Sequence, residues 1–155
     1  MAETLLRAEL AEAGLSGRVS VESAGTGDWH LGERMDSRAR AELARRGYDG
    51  SAHRARQIGP DWLDRFDLLI AMDASNQRSL ERMAARGPGG ERGNAFSERI
   101  RLLRSFDPAA PPGAQVPDPY GGGPQEFAVV FDMVLASARG LAAELRDLLA
   151  DQDDG

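Results

Sequence analysis

The sequence predicts a single α/β domain built as a three-layer sandwich, a small parallel sheet with helices on both faces. Three observations predict it. Helical and strand-like patterns alternate along the chain, which implies parallel strands joined by helical crossovers. Leu68-Leu69-Ile70-Ala71-Met72 is a continuous apolar run too short for a lone helix, as expected of a central strand buried on both faces. A terminal stripe of Phe127, Phe131, Val134, Ala138, Leu141, Leu145 and Leu148 gives a long helix one apolar face to lay on that sheet.

The elements follow in order. The opening residues read as helix, with Leu6, Leu10 and Ala13 on one stripe and Gly14 ending it. Arg18 to Ala24 is predicted as the first strand, because Val19 and Val21 alternate with Ser20 and Glu22. Asp36 caps a helix reaching Arg46, with Ala39 and Leu43 inward, Ala44 as a further inward candidate, and Gly47 closing it. Pro60 opens a short helix holding Trp62 and Phe66. After the apolar strand, Asp73 caps a helix from Ala74 to about Arg86, and Gly87 to Gly93 forms a glycine-rich loop. Ile100 to Leu103 is the next strand, and a Pro/Gly loop then leads to a last helix beginning near Pro124. One domain over residues 1–155 is expected, with 150–155 as a frayed tail.

Composition excludes several functions. The 155 residues are 41% hydrophobic and 28% charged, ordinary for a globular domain of this size. A net charge of −6 with a pI near 5.0 argues against a general nucleic-acid binder, and every basic residue is Arg. No run approaches a membrane span and no basic-then-apolar leader is present, so a cytoplasmic protein with no membrane partner is expected. There is no cysteine, and the two histidines lack metal-site spacing, so neither a metal nor another cofactor is implied.

In an open parallel sheet, ligands bind beyond the carboxyl ends of the strands. Ser23 to Thr26, Asp73, and Ser105 to Asp107 occupy three such ends. The loop Val116-Pro117-Asp118-Pro119-Tyr120-Gly121-Gly122-Gly123 leaves from the last. The two prolines stiffen the backbone on either side of Asp118. A ring and three glycines follow. Taken alone, the segment is either a proton donor beside an aromatic substrate or a proline-rich surface turn. Asp73 is a site residue or an N-cap, Ser23 a site residue or a strand end, and His53 a site residue or a bonded structural histidine. Trp29, on a loop, reads as a recognition surface. Arg54 and Arg56 are solvated cations or links between loops. No glycine-rich phosphate loop runs from a strand into a helix, and no Cys or Ser–His pair supplies a nucleophile.

Together, these stretches resemble the low-molecular-weight protein tyrosine phosphatases over nearly the whole chain. Ser23-Ala24-Gly25-Thr26 with Trp29-His30-x-Gly32 is similar to that family's loop after its second strand. Asp36-x-Arg38 and His53-x-Ala55-Arg56-Gln57-Ile58 resemble its middle segment. Phe66-Asp67-x-x-Ile70-Ala71-Met72-Asp73-x-x-Asn76 resembles its third strand and following helix. Leu102-Leu103-x-Ser105-Phe106-Asp107-Pro108 and Asp118-Pro119-Tyr120-Gly121 complete the order. The family's Cys-x5-Arg-Ser-Pro loop follows its first strand and is succeeded by Met-Ala-Glu, which here is Met1-Ala2-Glu3. The resemblance therefore implies a phosphotyrosine phosphatase I-like fold without its first strand. Roughly 15–20 residues, the nucleophile among them, would lie before Met1.

It also implies a mechanism. A Cys thiolate attacks phosphorus while loop amides and Arg hold the phosphoryl oxygens. Asp118 protonates the leaving phenol and then serves as base for the water that breaks the phosphocysteine. Trp29 and Tyr120 flank the substrate ring, in a phosphotyrosine-containing protein or a small aryl phosphate. Ser23 and His53 support the phosphate loop, and Arg56 and Asp73 brace neighbouring loops. The 155 residues alone are expected to be inactive; the other reading is a non-catalytic remnant or a phosphoprotein-binding module. Trp29 and Tyr120 favour tyrosine over phosphoarginine, and the absence of further thiols disfavours arsenate reduction.

Overall fold

The computed structural model describes residues 1–28, 30–86 and 96–153. Helix α1 (Ala2–Glu12) ends where Gly14 turns to φ 76°, letting Leu15 N–H reach back to the Leu10 carbonyl at 2.8 Å. That return seats Leu15 against Leu10 in one buried cluster. Helix α2 (Ser37–Arg45) closes the same way, with Gly47 at φ 85° and Tyr48 N–H on the Leu43 carbonyl. Asp36 caps α2 by accepting from the Arg38 amide at 2.8 Å.

The short α3 (Asp61–Arg65) leads to β1 (Leu69–Ala71), then α4 (Ala74–Ala85) and β2 (Ile100–Leu102). A 3₁₀ turn (Leu103–Phe106) precedes α5 (Pro124–Asp153), thirty residues long. β1 and β2 pair in parallel with Leu69 opposite Ile100 and Ala71 opposite Leu102. Alternate β1 side chains point to opposite layers. Leu69 and Ala71 join Leu63, Leu80 and Ala84 under α3 and α4. Ile70 and Met72 pack on Leu5, Leu43 and Phe131 from α1, α2 and α5. This is the three-layer α/β sandwich that the alternation predicts.

Several expectations change. The strand over Arg18 to Ala24 does not form. Gly25 alone bridges to Gln57, and the Val21 carbonyl is taken by the Arg7 guanidinium. Alternating valines make a strand only when a neighbouring backbone offers a ladder. In the described sheet that neighbour is absent, so β1 is not central either. In α2 the buried companion of Ala39 and Leu43 is Glu42, tied to Arg45 and Arg46, while Ala44 faces solvent. In α1 the buried stripe runs through Leu5 and Leu10, with Leu6 half-buried, because the helix is wedged against α5. Finally, residues 150–153, expected to fray, continue α5, whose end is pinned by an Arg18–Asp153 ion pair at 2.7 Å. Near that end Leu148 is exposed and Leu149 packs inward instead. The expected loop over Gly87 to Gly93 lies outside the described residues.

Among the described residues no helix is long and apolar enough to cross a membrane, and no group of three or more His, Cys, Asp or Glu side chains could hold a metal ion.

Candidate active site

One apolar cluster organises the loops that carry the candidate residues. Met1 from the start of α1, Met35 from the lead-in to α2 and Met72 from the end of β1 pack on Leu5, Leu43, Val116 and Phe131. Val116 N–H also donates to the Met72 carbonyl at 2.8 Å. The segment leading to Asp118 is thereby fixed to the carboxyl end of β1 and shares a core with the first turn of α1.

Above that turn stands Glu3. Its carboxylate accepts from Ser23 Oγ at 2.5 Å and pairs with Arg7 at 2.9 Å. His53 Nδ1 at 3.6 Å and Arg56 at 3.8 Å face the same oxygen as Ser23. Burial works to raise the Glu3 pKa, but the Ser23 hydrogen bond and the charges of Arg7, His53 and Arg56 outweigh it, so the carboxyl lies below its usual range. Burial pushes the His53 imidazole down, aided by the Met1 ammonium and opposed by Glu3. The Met1 ammonium itself is lowered to about 6, chiefly by burial, with Glu3 opposing.

Arg56 extends this cluster outward. Its guanidinium donates to Glu22 at 2.8 Å, and Glu22 takes a second bond from Arg65 at 3.2 Å. On the main chain, Gly25 N–H donates to the Arg56 carbonyl at 2.7 Å and Ile58 N–H returns to Gly25 at 3.0 Å. A groove of about 560 Å³ lined by Glu3, Arg7, Tyr48, Gly50 and His53 opens beside the cluster.

Asp73 is engaged differently. It caps α4 by accepting from the Asn76 amide at 2.7 Å, and the next amide, Ala74, donates to the Gln115 side chain at 2.9 Å. The start of α4 is thus joined to the approach to Asp118.

The Asp118 carboxyl is exposed and accepts from the Tyr120 amide at 3.0 Å, a turn closed further by Gly122 N–H on the Pro119 carbonyl at 2.9 Å. The Tyr120 side chain is 64% exposed, and the His30 ring lies 6.5 Å away, tilted by 45°. Trp29 lies outside the described residues. An open carboxyl and a flat ring two positions apart, on a loop held at both ends, can offer a proton and a stacking surface to one small molecule.

Ser23, His53 and Arg56 therefore meet, while Asp118 and Tyr120 share a second loop and Asp73 braces the way to it. Glu3, on which the first three converge, escaped the sequence reading. Its one signal is an acid in the first turn of a helix with Arg7 at i+4. Arg38, part of the Asp36-x-Arg38 stretch, pairs locally with Asp36, and nothing nearby in the chain signals its contact with the second loop, because Gly122 lies 84 positions on.

These features define an α/β sandwich whose polar loops gather about the first turn of α1 and the carboxyl end of β1. The model for the low molecular weight phosphotyrosine protein phosphatases matches residues 1–150, and the chain belongs to that family. It is 46% identical over 148 residues to a low molecular weight protein-tyrosine-phosphatase of Streptomyces coelicolor, covering 95% of this chain and 85% of that one. To low molecular weight protein-tyrosine phosphatase A of Mycobacterium tuberculosis it is 38% identical over 142 residues, covering 91% and 80%. Among solved structures it resembles YfkJ of Bacillus subtilis with a TM-score of 0.80 at 31% identity, covering 94% of this chain and 85% of that one. A protein tyrosine phosphatase of Entamoeba histolytica gives a TM-score of 0.82 at 27% identity, with 94% and 87% covered.

Proposed function

We propose that these residues form the acid–base and substrate-recognition part of a protein-tyrosine-phosphatase whose substrates are phosphotyrosine-containing proteins or small aryl phosphates. The observation that carries this reading is the Asp118–Tyr120 loop, fixed through Val116 and Met72 to the core on which the first turn of α1 also packs. Family membership supplies the chemistry. A Cys thiolate forms the S–P bond as the ester P–O bond breaks, and the Asp118 carboxyl gives its proton to the departing phenolate oxygen. Asp118 then takes a proton from the water that attacks the phosphocysteine, releasing phosphate and the thiolate. Tyr120 and Trp29 flank the ring. Ser23 and His53 support the phosphate loop, and Arg56 and Asp73 hold its surroundings.

The 155 residues contain no cysteine, so the thiolate has to come from sequence outside them. Alone they are inert in this reading. The test compares p-nitrophenyl phosphate hydrolysis by the 155-residue chain and by a chain preceded, in frame, by its genomic upstream codons. Turnover by the longer chain only, lost when its cysteine is changed to serine, is the expected result. Turnover by the shorter chain would sink the proposal. The missing thiol also supports a second reading, a phosphoprotein-binding module. That reading requires the 155 residues to bind a phosphotyrosine peptide without consuming it.

A further inference from the structure

Arg38, two residues into the α2 region, reaches across the molecule to the acid loop. Its Nε and Nη2 hold the two Asp36 carboxylate oxygens at 3.1 and 2.8 Å, and its Nη1 donates to the Gly122 carbonyl at 2.8 Å, 84 positions away. The guanidinium also lies 5.6 Å from the Tyr120 ring centre and 4.7 Å from that of Phe127 in the first turn of α5. The start of α2 does not need this side chain, because the Asp36 carboxylate already caps the Arg38 amide.

The Asp118 loop has two other anchors. Val116 ties its entry to β1, and the Glu126 carboxylate accepts from the Gly123 amide at 2.9 Å at its exit. Gly122 lies between Arg38 and Glu126, and a Cβ there would fall 2.7 Å from the Glu126 side chain. Between entry and exit, Arg38 links the loop to a different element and touches the ring that follows the acid.

We propose that Arg38 is a positioning residue that sets the Asp118–Tyr120 loop against the start of α2, aiming carboxyl and ring together. What is aimed rests on the phosphatase reading; the clamp itself does not. Arg38 holds the Asp36 carboxyl below its usual range, first through their hydrogen bond, so the pair stays ionised at neutral pH. A lysine has no planar fork to serve Asp36 and Gly122 at once, so Arg38→Lys does not substitute for it.

The experiment has two arms. In the first, Arg38→Lys and Arg38→Met are made in the 155-residue chain and amide exchange is followed by NMR. The Tyr120, Gly122 and Gly123 amides should exchange about ten-fold faster or more, with β1 and α4 unchanged. Unchanged loop exchange, or an equal rise in loop, β1 and α4, would overturn the clamp. In the second arm, the same variants are made in the longer, cysteine-bearing chain. There kcat for phenyl phosphate, a poor leaving group that needs the acid, should fall at least about ten-fold more than kcat for p-nitrophenyl phosphate. Equal losses for the two esters would overturn the aiming role. If the longer parent chain has no turnover, the phosphatase reading fails, and the exchange arm still judges the clamp.

Discussion

The Glu3 carboxylate on the first turn of α1 accepts a hydrogen bond from the Ser23 hydroxyl, 20 positions further on, and the same oxygen faces His53 and Arg56. Glu3→Gln removes the carboxylate that Ser23 and Arg7 bond, while Arg56 keeps its pairing with Glu22. A loss of about 1–2 kcal/mol at neutral pH is expected, read from urea midpoints. Because the folded Glu3 pKa lies below its ordinary 4.5, the stability it confers is present above pH 4.5 and is lost as pH falls through the folded value. The variant should therefore lose less stability than the parent on acidification below pH 4.5. Parallel curves would show that Glu3 is not the group responsible.

In the 155-residue chain taken by itself, the Met1 amine predicts a second pH dependence, of the same sign, which the longer cysteine-bearing chain would not show. Its pKa falls from 8.0 unfolded to about 6 folded. Between those values the unfolded chain binds more protons, so acidification favours unfolding. Two pKa units correspond to about 2–3 kcal/mol. His53, lowered from 6.5, adds a further decline below that pH. Acetylating the amino terminus should flatten the stability profile between pH 8 and 6.5, while His53→Gln should flatten it only below 6.5. A slope that survives acetylation would rule the amine out.

At Gly140, α5 passes close against the backbone of the 3₁₀ turn. A Cβ there would sit 1.8 Å from the Phe106 carbonyl oxygen, a backbone atom that cannot swing away. Gly140→Ala should cost about 3 kcal/mol in chemical denaturation, even though alanine is the better helix former. A neutral or stabilising outcome would mean that α5 sits further from the turn than the structure places it.

Asp73 distinguishes a cap from a site residue. As the acceptor for Asn76 N–H it should cost about 1 kcal/mol when changed to alanine, and Asp73→Ser should restore most of that. In the cysteine-bearing chain, serine should restore activity too if Asp73 acts only by bracing α4. Stability regained without activity would give the carboxylate a direct part.

Asp118→Asn keeps an acceptor for the Tyr120 amide and removes the proton donor. In the cysteine-bearing chain kcat should fall on the order of 100- to 10,000-fold, with folding stability unchanged. Comparable losses in kcat and in stability would mark the residue as structural.

Much of this was legible in the sequence because it depends on neighbours. Gly14 and Gly47 close their helices, Asp36 and Asp73 open theirs, and the Leu69–Ala71 run and the Phe127–Leu141 stripe declare buried faces over a few residues each. The stiff acid loop could be read as well, since proline and glycine act on their own backbone. Tertiary structure alone decided three things. Val19 and Val21 form no strand, because a ladder needs a partner backbone that local propensity cannot supply. Ser23, His53 and Arg56 converge on Glu3 because α1, the 20–25 segment and the 53–57 segment meet in space. Arg38 reaches Gly122 across 84 residues because α2 and α5 lie side by side. A side chain's choice among distant partners is set by packing, and packing has no period that a linear sequence displays.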